Sequence, residues 1–260
     1  MPEIVSTYLV LATPRSGSTL LGQALNATNL AGDPREHFGH KMGFWANKWG
    51  TTSLADFVDH LMRERATENG VFGAKLLYAH LLHLERTARA EPRFAELPLP
   101  AILGELFPNL RYLRITRRDK LRQAISYWKA KESGIWGKEE ARAGRTGQGR
   151  RSIVKQSRRT GKTPAFDFAG IATLLRSIEE EEAAIERFFR DGDIAPMHVV
   201  YEEFVDRYQE TTRELLQFLG VEPPRDLDLG QPRTVKLADD ETEAWVVRFE
   251  ETRNELGRDD

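Results

Sequence analysis

The stretch Tyr8-Leu-Val-Leu-Ala-Thr-Pro-Arg-Ser-Gly-Ser-Thr-Leu-Leu21 constrains this chain more than any other. An apolar run breaks at Pro14, passes through Arg15, Ser16, Gly17, Ser18 and Thr19, and reads as helical from about Leu20. A strand, a tight loop of small residues and a helix start, in that order, turn loop N–H groups and the positive end of a helix toward one point. Hydroxyls and the Arg15 guanidinium stand around that point, which makes it a trap for an anion. The Gly-Lys-Ser/Thr ending that serves nucleoside triphosphates and their magnesium is absent. Thr13–Thr19 therefore points to a phosphate-type group held without an obligatory metal.

Length and composition narrow the setting. A chain of 260 residues suits a single large domain. At that size a fold buries roughly 75% of its extended-chain surface and needs no disulfide or metal to hold a core. There is no cysteine, so disulfides, thiol catalysis and cysteine-ligated zinc are excluded. A net charge of −2 gives no general pull toward nucleic acid. No apolar stretch nears the roughly 20 residues of a membrane span, and no basic-then-apolar leader opens the chain. The expectation is a soluble, cytoplasmic protein.

Further strands are expected over Val71–Leu77, Leu110–Thr116 and Met197–Tyr201, with helical patterns between them. Strands alternating with helices predict an α/β fold, a central parallel sheet flanked by helices. Residues 137–164 differ in kind. Between Arg142 and Lys162 stand eight Lys/Arg and no acid, with no apolar period, which predicts a mobile loop or lid. Lys41–Gly50 reads as a loop. Phe204–Phe218 reads as one helix closed by Gly220. Glu179–Glu182, on a long helix, reads as a solvated face, and Trp245 marks a last helix.

Leu113-Arg-Ile-Thr-Arg-Arg-Asp-Lys-Leu-Arg-Gln-Ala-Ile-Ser-Tyr-Trp128 forms a second anchor. The strand end places Arg117 and Arg118 at the carboxyl edge of the sheet, where ligands of open α/β proteins bind. Ser126 follows two turns into the next helix, and an arginine fork with a hydroxyl suits a phosphate.

Taken together, Thr13-Pro-Arg-Ser-Gly-Ser-Thr19 and Arg118…Ser126 resemble the phosphosulfate and 3′-phosphate motifs of sulfotransferases that use 3′-phosphoadenylyl sulfate (PAPS). More narrowly, the chain resembles the Stf0-type family, through Ala31-Gly-Asp-Pro-Arg-Glu-His-Phe38, Gly73-Ala-Lys-Leu76, Gln123-Ala-Ile-Ser-Tyr-Trp128, Tyr201-Glu-Glu-Phe204 and Ala238-Asp…Trp245-Val. The resemblance implies a P-loop-like sulfotransferase fold. It assigns Thr13, Pro14, Arg15, Ser16, Gly17, Ser18 and Thr19 to the 5′-phosphosulfate, and Arg117 or Arg118 with Ser126 to the 3′-phosphate. It also implies Glu36 as general base, Lys236 near the cofactor, a carbohydrate acceptor such as trehalose or another glycoside, and a homodimer. Arg15 shares the catalytic role, through charge alone, because a guanidinium does not give up its proton.

The remaining candidates rest on residue chemistry. His37 suits the lining of an acceptor pocket, and with no third ligand nearby a metal site is not expected. Trp45, Trp49, Trp128 and Trp136 suit a sugar platform, because flat rings stack on the apolar faces of sugars. Trp128 follows the core period of its helix. Glu36 beside Arg35 also fits a surface ion pair. Two other classes share the anion trap: a P-loop phosphotransferase of kinase type, and a nucleotide-binding protein without catalysis.

Overall fold

The computed structural model describes residues 3–39, 41–136, 163–230 and 240–256. Four strands are present among these residues: β1 (Ser6–Ala12), β2 (Val71–Leu77), β3 (Leu110–Thr116) and β4 (Met197–Val200). The helices are α1 (Ser18–Ala27), α2 (Met42–Trp49), α3 (Leu54–Arg65), α4 (Tyr78–Arg89), α5 (Leu99–Leu106), α6 (Lys120–Ser133), α7 (Phe168–Asp191), α8 (Tyr201–Asp206), α9 (Tyr208–Phe218) and α10 (Asp240–Leu256). The chain groups into two compact units, Met1–Arg118 with Glu180–Pro232, and Asp119–Glu179 with Arg233–Asp260. No helix among the described residues is long and apolar enough to cross a membrane.

The first unit holds the sheet, ordered β2-β1-β3-β4 with every pair parallel. This is the α/β architecture expected from the alternation of strands and helices. Period-two alternation along β1 divides its side chains between two cores. Leu9 and Leu11 join Phe72, Ala74 and Leu76 of β2 against α3, α4 and α5. Tyr8, Val10 and Ala12 join Leu113 and Ile115 of β3 against α1 and α9. Because both faces are covered, β1 is buried along its whole length, as parallel strands require. The order reverses direction at β1 and β3, so the crevice beyond their carboxyl ends is where a ligand of such a sheet sits. The loop after β1 and the arginines after β3 both fall at that edge.

Three sequence expectations change. The Lys41–Gly50 loop is helical, and Gly50 ends α2 in the left-handed region at φ 67°. The helix expected over Phe204–Phe218 is two, broken at Arg207 (φ −114°, ψ 39°), and Tyr201 opens α8 where the strand was expected to end. Glu182 is not a solvated residue. It turns toward Arg114 of β3, a fully buried guanidinium that Glu186 meets at 3.0 Å and Glu182 at 3.8 Å. A helical spacing of four residues aligns the two acids on one face of α7, and a buried arginine demands such partners. Residues 137–162 of the expected basic loop lie outside the described residues.

In the second unit, Ala124 and Ile125 of α6 pack with Ile171, Leu174 and Ile178 of α7 and with Trp245 and Phe249 of α10. Asp119 caps α6 by accepting from the Arg122 amide at 2.8 Å, and Arg122 pairs in turn with Glu243 of α10 at 2.9 Å. Trp128 packs beside Gly170 and donates its indole N–H to the Ala165 carbonyl at 2.9 Å.

Gly73 of β2 lies across the ladder from Tyr8, and a methyl group built on it would come within 2.1 Å of the Tyr8 ring. That ring is fully buried and its hydroxyl donates to the Ala31 carbonyl at 2.6 Å, so it has nowhere to retreat. Gly73→Ala is expected to destabilise the fold by about 1–3 kcal/mol, read as a lower urea midpoint. An unchanged midpoint contradicts this packing.

Candidate anion-binding and active site

The loop after β1 is shaped by two left-handed residues on either side of Ser16: Arg15 at φ 64° and Gly17 at φ 95°. A non-glycine residue in that region is uncommon and costs free energy that the surroundings must supply. At Gly17 the need for glycine is absolute, since a Cβ there would sit 2.3 Å from the ring of Tyr201. The α1 N-terminus that follows has no side-chain cap, which leaves the donors of its first turn for a ligand. Ser16 is fully buried, and its hydroxyl has no hydrogen-bond partner. A buried orphan of this kind calls for an absent partner that accepts hydrogen bonds.

Two positive charges converge on the same place. Burial, and next the charge of Arg117, hold the Arg15 guanidinium below its ordinary value. Arg117, at the end of β3, lies 5.3 Å from the centre of the Tyr201 ring and 3.9 Å from Glu202. Its neighbour Arg118 is different. Its side chain is 62% exposed against 13% for Arg117, it pairs with Glu203, and its backbone N–H donates to Glu202. Of the two arginines, only Arg117 is grouped with the loop. Mutually repelling guanidiniums beside an unsatisfied hydroxyl are stable together when an anion lies among them.

Lys75 of β2 adds a cation that sequence reasoning passed over. It is buried, and its ammonium donates to Thr19 Oγ1 at 3.2 Å and pairs with Glu36 Oε1 at 2.8 Å. The segment carrying Glu36 is pinned there by the backbone: Arg35 bridges to Ala74 of β2, and the Lys75 amide donates to the Arg35 carbonyl at 2.9 Å. Arg35 pairs with Asp33 at 2.8 Å, so Glu36 is not its partner. A lysine inside an apolar strand run was the available signal, because strand interiors rarely bury an ammonium without a partner.

Glu36 opens onto a pocket that is partly open to solvent. Trp45, Trp49, Phe57 and Leu61 wall its apolar side, while His37, Lys41 and Arg65 supply polar groups. The helical form of α2 presents Trp45 and Trp49 together, their rings 5.4 Å apart. His37 donates from Nε2 to the Asp33 carbonyl at 3.1 Å, and burial lowers its pKa to about 4. Trp136 does not line this cavity; it belongs to the second unit, 5.9 Å from Tyr127. Ser126 is half-buried on α6 of the second unit, and Lys236 lies outside the described residues.

His37 makes stability depend on acid. Its folded pKa lies below that of the unfolded imidazole, near 6.5, so unfolding takes up a proton between those values. The contribution is complete above about pH 6.5 and is lost as the pH falls toward 4, by at most about 1.4 kcal/mol per pH unit. In urea titrations across this range, His37→Gln should show a shallower fall than the parent protein. Parallel curves would contradict a buried, neutral His37.

The chain is similar to known proteins along nearly its whole length. The sequence profile described as Stf0 sulphotransferase matches residues 7–252. The chain is 26% identical to trehalose 2-sulfotransferase of Mycobacterium tuberculosis (strain ATCC 35801 / TMC 107 / Erdman), covering 99% of each chain. It is 28% identical to trehalose 2-sulfotransferase of Mycolicibacterium smegmatis (strain ATCC 700084 / mc(2)155), covering 96% of each. A structural likeness extends to the sulfotransferase domain from the Synechococcus PCC 7002 olefin synthase, at TM-score 0.48 and 16% identity, over 94% of this chain and 84% of that one. With nearly every residue inside the matched region, this protein belongs to the Stf0 sulphotransferase family and is a sulfotransferase.

Proposed function

We propose that this enzyme moves the sulfuryl group of PAPS to a hydroxyl of a carbohydrate acceptor. One observation carries the reading: the buried, unpartnered Ser16 hydroxyl adjoins Arg15, whose guanidinium feels the charge of Arg117, at the carboxyl edge of a parallel sheet. These donors fit a phosphosulfate. When bound, PAPS supplies an activated sulfuryl group on a phosphate leaving group.

The chain's residues then have separable tasks. Arg15 and the amides from Ser16 to Thr19 stabilise negative charge that builds on equatorial and departing oxygens, in a setting where fixed donors act strongly. Arg15 remains protonated throughout, so its contribution is electrostatic. Thr13 and Pro14 set the exit from β1, and Thr13 is anchored through Glu182 at 3.5 Å. Arg117 is the arginine of the pair that engages the donor, since Arg118 is drawn outward by Glu203. The assignment of Ser126 to the 3′-phosphate keeps the basis it has in the sequence, its spacing from these arginines. Glu36 accepts the proton of the acceptor hydroxyl, and Lys75 holds that carboxylate in place while touching Thr19 of the donor loop. A carbohydrate acceptor is supported by the paired tryptophans of the cavity and by the names of the two mycobacterial relatives.

Calorimetry with 3′-phosphoadenosine 5′-phosphate (PAP), the spent donor, tests the donor half. Arg15→Ala and Arg117→Ala are each expected to weaken binding by about 10–100-fold, the worth of a charge-assisted hydrogen bond, and Arg118→Ala by less than about threefold. No uptake of PAP by folded protein overturns the reading, and the reverse ranking of Arg117 and Arg118 moves the 3′-phosphate site. Glu36→Gln is expected to lower kcat for transfer from labelled PAPS by about 10²–10⁴-fold with PAP affinity retained. A variant turning over at full speed removes Glu36 from the chemistry.

A further inference from the structure

The cavity beside Glu36 holds more positive charge than a neutral sugar answers. Its one carboxylate, Glu36, is already paired with Lys75 at 2.8 Å. His37 faces it uncharged. Arg35, next in the chain to Glu36, is neutralised by Asp33 at 2.8 Å. Two cations in the wall, Lys41 and Arg65, have no carboxylate at ion-pair distance among the described residues.

Arg65 is the sharper case. It ends α3, and its Nε is buried with no hydrogen-bond partner. Arg63, in the same turn, shows the ordinary arrangement for a surface arginine, pairing with Asp59 at 2.6 Å. The end of a helix favours a cation but gives the Arg65 Nε no acceptor here. Arg65 lines the cavity, and a buried guanidinium nitrogen without a partner among the described residues favours a ligand that brings an acceptor. A planar fork of charged donors is matched best by a carboxylate or a phosphate.

We propose that the acceptor is an anionic saccharide, its ring against Trp45 and Trp49, its carboxylate or phosphate on Arg65 with Lys41, and its reacting hydroxyl toward Glu36. This inference rests on the sulfuryl-transfer reading above and names the acceptor class for the same site. It separates this chain from relatives named for trehalose, a sugar without charge.

Calorimetry on the full chain saturated with PAP decides it, with methyl glucoside, glucose 6-phosphate and glucuronate as probes. The phosphorylated or the carboxylated sugar is expected to bind at least about tenfold more tightly than methyl glucoside, and the stronger of the two identifies the group. That margin should shrink as salt rises. Arg65→Gln should abolish the margin while PAP affinity and circular dichroism stay unchanged. Lys41→Gln, at an exposed position that leaves folding untouched, should reduce it by a few fold. Equal binding of charged and neutral sugars, or a margin that survives Arg65→Gln, overturns the inference while PAP uptake leaves the donor reading standing. Loss of PAP uptake itself overturns both.

Discussion

The close approach of the Tyr201 ring to the backbone of Gly17 is the constraint on which the site depends. The ring stands where any side chain at residue 17 would be, and the loop closes beneath it in a left-handed turn. That turn leaves the start of α1 uncapped and buries the Ser16 hydroxyl without a partner. The same ring lies beside the Arg117 guanidinium, so one aromatic residue from the last strand–helix junction shapes both the hydroxyl and the cationic parts of the anion trap. Burying unsatisfied donors and like charges costs stability, and enzymes place that cost where a ligand repays it.

A second buried guanidinium has its charge answered from within the sheet and the helix packed on it. Arg114, inside the sheet, is enclosed by Glu182 and Glu186 and donates to the carbonyls of Leu11 and Ile115 at 3.4 and 3.0 Å. Its charge is answered by acids of the same fold, although its Nη2 makes no hydrogen bond and reaches Glu182 only at ion-pair distance. Arg15 and Arg117 share the same residue chemistry, but each feels the other's positive charge at the carboxyl edge of the sheet.

Lys75 joins the two halves of the proposed chemistry. Its ammonium touches the donor loop at Thr19 and the candidate base at Glu36, from a strand that is rigid because both faces are packed. A parallel bridge between Arg35 and Ala74 holds the Glu36 segment against that strand. The proposed donor loop and the Glu36 segment are thus tied to adjacent strands, β1 and β2, which favours the alignment an in-line transfer needs.

All four strands were legible within a residue of their bounds, since short apolar runs between helical patterns have few other readings, and the Arg-Ser-Gly-Ser-Thr loop announced an anion by composition. Ser53 caps α3 by an equally local contact: its hydroxyl accepts the Asp56 amide at 3.1 Å. Other features had no local signature. Lys41–Gly50 hid a helix because its aromatic spacing is short and its only buried residue is Met42. Glu182 looked solvated because an acidic run does not reveal a buried arginine 68 positions earlier in the chain. By itself, the sequence determined the sheet, the loop and the family, all of which follow from contiguous patterns of polarity and residue size. Only the tertiary structure decided which arginine lies by the loop, that Lys75 pairs with Glu36, and that Arg65 in the cavity wall has no carboxylate partner among the described residues, because each is a distance between residues that the linear order leaves free.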